Sequence, residues 1–183
     1  MSKPLVITGG TGGIGSATAR AAAMAGYEIV IGYYPESDAG SAQQLVKELG
    51  EYSKAIAVCV DVGEEEHVKH LFSTVEAEMG AVYGLVNCAG IDSVTMAAEA
   101  AVDTIRRVLE INVLGTMLCC REALARMQIS RGGGGGVIVN VSSMAASSGG
   151  RPGMSHYAAS KGAIDVFTLG VAREAKWRRG TNK

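Results

Sequence analysis

Leu5-Val-Ile-Thr8-Gly-Gly-Thr-Gly-Gly-Ile-Gly15, running on into the Ala-rich stretch Ser16 to Ala25, is the part of the chain from which the fold can be read. The apolar run Leu5 to Ile7 reads as a strand, the glycines as a tight turn, and the Ala-rich stretch as a helix that stops at Gly26. Strand, glycine turn and helix, in that order, are the context a dinucleotide-binding fingerprint requires. Glycines let the backbone approach a pyrophosphate, and the helix N-terminus offers free N–H groups and the positive end of its dipole. The bland alternative is a turn and nothing more. The candidate cofactor residues here are Gly9, Thr11, Gly12, Gly13, Ile14 and Gly15.

Working outward, the same alternation repeats. Glu28 to Ile31, Ala55 to Val60, Val82 to Val86 and Val137 to Val141 read as further strands. Helical patterns fill the gaps at 38–49, from about Glu64, and over Ala97 to Arg131 with an interruption near Asn112 and Gly115. Strands alternating with helices imply an α/β fold, a doubly wound, Rossmann-like parallel sheet with helices on both faces. A length of 183 residues suits a single domain over 1–183 with a sizeable core.

The strand ends carry the polar candidates. Tyr33 and Tyr34 close the second strand, where an acidic residue would bond a ribose 2′-hydroxyl and a basic one a 2′-phosphate. Glu36 and Asp38 follow and could serve as that acid, but are expected to cap the next helix. Asp61 faces the cofactor crevice or caps the third helix, and both uses stay open. Asn87-Cys-Ala-Gly90 offers small residues for close approach of a ligand. Asn112 interrupts the apolar run Ile111-Asn-Val-Leu114, as a functional amide or as a core amide bonded to backbone. The glycines of 132–136 are expected to form a flexible surface loop, since ordering such a run is entropically costly.

Ser155-His-Tyr-Ala-Ala-Ser-Lys161 places a phenol and an ammonium four residues apart, on one face of a helix. A free phenol titrates near ~10, so proton transfer at neutral pH needs that value lowered by roughly 2–3 units. A neighbouring cation acts in that direction. By itself the pair is more often an exposed Tyr beside a solvated Lys.

The formal charge of −1 gives no reason to expect nucleic acid or an anionic membrane as a partner. No apolar run approaches the ~18–20 residues of a membrane span. The N-terminal residues show no secretory pattern. Cys59, Cys88, Cys119 and Cys120 lack CxxC spacing and are expected to be reduced, buried thiols in a cytoplasmic protein. His67 and His70 lie three apart on a helix without a third ligand, so no metal is expected.

Thr8-Gly-x-x-x-Gly13-Ile-Gly15, Asp61-Val62, Asn87-x-Ala-Gly90, Asn112-Val113, Ser142-Ser143 and Tyr157-x-x-x-Lys161 stand in one order along nearly the whole chain. Jointly they resemble the short-chain dehydrogenase/reductase family, in the branch of sugar dehydrogenases and 3-oxoacyl carrier-protein reductases. The resemblance implies an NAD(P)(H)-dependent oxidoreductase acting on an alcohol or carbonyl. It implies that the glycine turn receives the pyrophosphate and that Asp61 and Val62 contact the adenine. Asn87, Ala89 and Gly90 would line the ribose and nicotinamide side. Tyr157 would be the general acid or base, and Lys161 would tune it and hold the ribose. Ser143 would bond the substrate oxygen, and Asn112 would support a water leading to Lys161. A homo-oligomer, dimer or tetramer, is implied through the helices near 98–131 and 156–176; the apolar stripe Leu114, Met117, Leu118 and Leu124 suits that pairing and equally suits packing on the sheet.

Three departures from the family pattern matter. The Ser143 to Tyr157 spacing is one residue longer than is usual in the family, which makes Ser142 a fallback. Gly12 stands where many NADP members carry Arg, and Tyr33 is not acidic. The choice of cofactor is open, with the missing acid leaning towards NADP. Members also continue into a sixth strand, a substrate lid and a seventh strand. Without those strands, a sheet ordered 3-2-1-4-5 leaves the apolar Val137 to Val141 as an edge, which invites aggregation. A rival reading is therefore a chain, or a fragment, that binds cofactor but is catalytically silent and acts through association. The basic end Trp177 to Lys183 reads as a solvated tail or an altered frame.

Overall fold

Five short segments pair side by side as parallel strands: β1 (Pro4–Thr8), β2 (Glu28–Tyr33), β3 (Ala55–Cys59), β4 (Gly84–Asn87) and β5 (Val137–Asn140). Their order is β3-β2-β1-β4-β5, as expected from the sequence. The computed structural model describes residues 3–176, so the basic end and the last residues of the expected domain lie outside the described residues.

Alternation along the strands supplies both faces of the sheet. Leu5, Ile7, Ile29 and Ile31 pack with Ala19 and Ala23 of α1 (Gly13–Met24) and with Leu45 and Leu49 of α2 (Ala39–Leu49). Val6 and Val30 face the other way. They meet Val68, Leu71, Phe72 and Val75 of α3 (Glu65–Met79), and Cys119, Cys120 and Ala123 of α5 (Thr116–Met127). Each such Val, Leu, Ile or Phe side chain, fully buried, contributes about 1.5–3 kcal/mol relative to exposure. The two-sided core is what makes these strands read as continuous apolar runs.

The register matters most for function. Thr8 pairs with Gly32 and Asn87, and Asn87 with Asn140, so these residues form one row at the C-terminal edge of the sheet. α4 (Val102–Leu109), a π-helical turn (Glu110–Gly115) and α5 follow one another as a continuous bent rod. α6 (Ala145–Ser148) and α7 (Ser155–Lys176) complete the described chain.

Several expectations are corrected. α1 begins at Gly13, three residues before Ser16, because the last glycines of the turn already form its first turn. The long helix spans Val102 to Met127, not Ala97 to Arg131, and Asn112 lies in a π-turn rather than a break. The glycine run is not a free loop. Gly133 N donates to Gln128 O at 3.0 Å and Gly135 N to Met127 O at 2.9 Å. A methyl on Gly133 would strike the backbone of Arg126 and Met127. The expected apolar stripe is split, with Leu118 in the core and Leu114 46% exposed.

β5 pairs only with β4 among the described residues, and Val137 and Val139 are 46% and 47% exposed. This is the uncovered apolar edge expected of a sheet in that order. An apolar groove of about 510 Å³ runs along this edge between α5 and α7, lined by Leu124, Met127, Ile138 and Val171 among others.

Candidate active site

The glycine turn is where three backbones meet. Gly9 has φ +62°, in the left-handed region, and a Cβ there would stand 2.8 Å from the backbone of Ala89. A Cβ on Gly15 would strike the Gly9 carbonyl oxygen. Gly12 N donates to Gly9 O at 3.0 Å and Ser16 N to Gly12 O at 2.8 Å, closing the turn onto α1. The N–H groups of Gly13, Ile14 and Gly15 precede the first intrahelical bond and are available to an anion. α1 carries no acidic residue in its first turn to compete, and Gly13 faces open space. Ile14 lies at the surface, 61% exposed. Thr11 Oγ1 donates to Asp38 Oδ2 at 3.4 Å.

A ladder of polar side chains runs along the sheet edge beside this turn. Thr8 Oγ1 accepts from Ala89 N at 3.2 Å and donates to Asn87 Oδ1 at 3.4 Å. Asn87 Nδ2 donates to Asn140 Oδ1 at 2.9 Å, and Asn140 Nδ2 to Thr168 Oγ1 of α7 at 2.9 Å. The row set by strand register thus ends on the helix that carries Tyr157 and Lys161. Asn140, Thr168 and Ser160 were not singled out in the sequence. An Asn closing the apolar run Val137-Ile-Val was a signal of the same kind as Asn112.

Lys161 is 6% exposed, and its ammonium donates to Val141 O at 3.0 Å. Burial holds it below the ordinary lysine range, while the nearby Cys88 and Asp165 act in the opposite direction. Its nitrogen lies 6.0 Å from the centroid of the Tyr157 ring, so the two share one side of α7. Gly90 admits this approach, since a Cβ there would stand 3.3 Å from Asn112 Oδ1 and 3.4 Å from Lys161 Nζ. Asn112 is fully buried and bonds Ile91 N, Ile91 O and Ser160 Oγ. Glycine turn, β4 end, π-turn and α7 therefore converge at the C-terminal edge of the sheet.

Two expected residues are placed differently from the rest. Asp61 has one carboxylate oxygen on Gly63 N at 3.0 Å and the other in an ion pair with Arg107, which also holds Glu110 at 2.8 Å. Val62 is buried against Gly115, whose missing side chain lets the π-turn sit on it. Of the serines, Ser143 Oγ accepts from Ala145 N at 3.2 Å. Ser142 Oγ is buried without a hydrogen-bond partner among the described residues. Among the described residues, no group of three or more His, Cys, Asp or Glu could hold a metal ion. No described helix is long and apolar enough to cross a membrane.

The family model described as short chain dehydrogenase matches residues 3–179. The chain belongs to this family. It is 40% identical to the uncharacterized oxidoreductase YgfF of Escherichia coli (strain K12), over 92% of this chain and 68% of that protein. It is 34% identical to carbonyl reductase family member 4 of Danio rerio, over 97% and 71%. The 3-oxoacyl-(acyl-carrier-protein) reductase of Bos taurus is also 34% identical, over 95% and 70%. A crystal structure described as a short-chain dehydrogenase/reductase from Burkholderia xenovorans superposes with a TM-score of 0.88 at 30% identity, covering 95% of this chain and 72% of that one. The short-chain dehydrogenases are oxidoreductases that use NAD(P)(H), and the parallel sheet and glycine turn here fit that assignment.

Proposed function

We propose that this chain interconverts an alcohol and a carbonyl compound with NAD(P)(H), and that Tyr157 is its general acid and base. The observation that carries the reading is the buried Lys161 ammonium, held by Val141 O, on the Tyr157 side of α7 and beside Gly90. Gly9 and Gly12 to Gly15 would hold the pyrophosphate, and Asn87, Ala89, Gly90 and Lys161 the nicotinamide end. Asp61 and Val62 bound the adenosine side. When bound in its reduced form, the nicotinamide supplies the hydride to a carbonyl carbon.

The residues of the chain handle the proton and the charge. In reduction, Tyr157 gives its phenolic proton to the substrate oxygen; in oxidation it takes one. The Lys161 ammonium stabilises negative charge on the phenol oxygen as that proton leaves. Ser143, whose Oγ already accepts from Ala145 N, keeps its O–H for the substrate oxygen. Ser142, sunk and unpartnered, serves this role less well. Asn112 fixes Ile91 and the start of α7, and so holds Lys161 in line.

Self-association is part of the proposal. Leu109 and Leu114 on the bent rod, and Val166 and Leu169 on α7, are 41%, 46%, 71% and 61% exposed, which suits helix pairing between copies. Light scattering that reports a strict monomer would remove this point.

Tyr157→Phe tests the chemistry. Turnover in a carbonyl-reductase screen should fall by at least ~100-fold, within the usual range of a positioned acid or base, while dinucleotide binding persists. Near wild-type turnover in that variant would refute the role of Tyr157. Wild-type binding without turnover across a broad screen would favour the silent alternative, for which the uncovered β5 edge is the motive.

A further inference from the structure

We propose that Asn140 and Thr168 are positioning residues that hold α7 in the register that seats the Lys161 ammonium on Val141 O. The inference rests on the proton chemistry proposed above and extends it to two side chains at the far end of the polar row.

The row has one direction, and its two ends fix it. The Ala89 N–H can only donate, and it donates to Thr8 Oγ1 at 3.2 Å. The Ile164 carbonyl can only accept, and it accepts from Thr168 Oγ1 at 2.7 Å. Thr168 has used its one proton on that carbonyl, so towards Asn140 its oxygen must accept. Asn140 therefore turns Nδ2 to Thr168, at 2.9 Å, and Oδ1 to Asn87 Nδ2, also at 2.9 Å. Asn87 in turn presents Oδ1 to the Thr8 hydroxyl at 3.4 Å. Every donor along this path points towards α7. Bonds chained in this way polarise one another, so each link strengthens the next.

Asn140 and Val141 are consecutive, and between them they hold α7 at two heights. The Val141 carbonyl takes the Lys161 ammonium at 3.0 Å, and the Asn140 amide takes the Thr168 hydroxyl. Thr168 lies two helical turns beyond Lys161, roughly 10 Å along the axis and near the same side. One contact leaves a helix free to slide or roll about it, and a second at that distance fixes both motions. Lys161 is buried, so a shift of α7 strips its ammonium of the carbonyl. Leu124, Ile138 and Val171, which line the groove beside Asn140 and Thr168, cannot set this register. Apolar contact is non-directional and holds α7 against β5 at any height. A hydrogen bond weakens steeply away from its preferred angle and so selects one.

The test reads Lys161 both with and without turnover. Acetic anhydride acylates accessible amines, and mass spectrometry gives the extent at Lys161 relative to the exposed Lys47. Thr168→Val keeps the side-chain shape and removes the hydroxyl. It should raise relative acylation of Lys161 by at least about 3-fold, as local opening does. Its kcat, for the aldehyde or ketone reduced fastest in the carbonyl-reductase screen, should fall by about 10–100-fold, with NADH and NADPH binding changed less. The pH limb assigned to Tyr157 should move to higher pH, because a displaced ammonium no longer favours the phenolate. Asn140→Ala should act in the same direction, and Thr168→Ser, which keeps the hydroxyl, should stay near wild type. Ile29→Val, a mild truncation in the core on the other face of the sheet, controls for lost stability and should move none of these readouts.

Unchanged Lys161 acylation in both Thr168→Val and Asn140→Ala overturns the positioning role, and so do equal changes in Ile29→Val. Wild type that binds NADH or NADPH without turnover overturns the enzymatic reading, and acylation then decides the positioning role by itself. If Thr168→Val fails to fold, Asn140→Ala against Ile29→Val gives the same decision.

Discussion

Asn112 clasps Ile91 from both sides, accepting from its N–H at 2.8 Å and donating to its C=O at 2.9 Å. The same amide nitrogen donates to Ser160 Oγ at 3.0 Å, so one buried side chain ties the loop after β4 to α7. A π-turn widens the rod there by one residue per turn, a distortion that recurs at functional positions. Asn112→Ala leaves both Ile91 groups without this partner. Its unfolding free energy in urea should fall by about 1–3 kcal/mol, the cost of unpaired buried groups. Turnover should fall as well, since Lys161 is one residue from Ser160.

Lys161 gives a pH dependence whose sign follows from burial. Its pKa is lowered on folding, so between its folded value and the ordinary lysine value of ~10.4 the unfolded chain binds the extra proton. Stability from this group therefore rises as pH rises through that window, and the penalty is full below the folded value. Wild type should gain thermal stability relative to Lys161→Met between pH 7 and pH 10, read as the difference in Tm. A difference that moves the other way would mean that the ammonium is stabilised on folding. Turnover should be lost in Lys161→Met at every pH.

Gly15 is fixed by the Gly9 carbonyl, which a Cβ would strike. Both atoms are backbone, so neither can step aside without moving the turn. Gly15→Ala should lose about 1–3 kcal/mol of stability, as overpacked sites do. It should also weaken dinucleotide binding. Gly13→Ala, where a Cβ meets no protein atom, should keep its stability within error but weaken dinucleotide binding, since the methyl enters the space open to the pyrophosphate. Thermal melts and fluorescence titration check the pair.

The glycines of 132–136 should not be interchangeable. Gly133→Ala drives a methyl into the backbone of Arg126 and Met127 and should cost about 1–3 kcal/mol. Gly134 has ordinary φ and open space, so Gly134→Ala should stabilise by about 0.4–1 kcal/mol through the unfolded chain. Urea denaturation of the two variants would distinguish a packed run from a flexible one, in which both would stabilise.

Sequence alone determined the alternation of strands and helices, and its resemblance to the family determined the strand order. Strand runs, glycine turn and Ala-rich helix are local patterns, and local patterns are set by residues a few positions apart. It also determined that Tyr157 and Lys161 share a helix face, because four residues make one turn.

Only the tertiary structure decided which partner each polar group takes. Asp38 bonds Thr11 instead of capping its helix, and Asp61 is claimed by Arg107 from a helix 46 residues away. Asn140 joins the site through Thr168, and the glycine run is fixed by the end of α5. In each case the deciding contact is between segments distant in sequence. A hydrogen bond or steric clash depends on tenths of an ångström in space, which residue order does not encode.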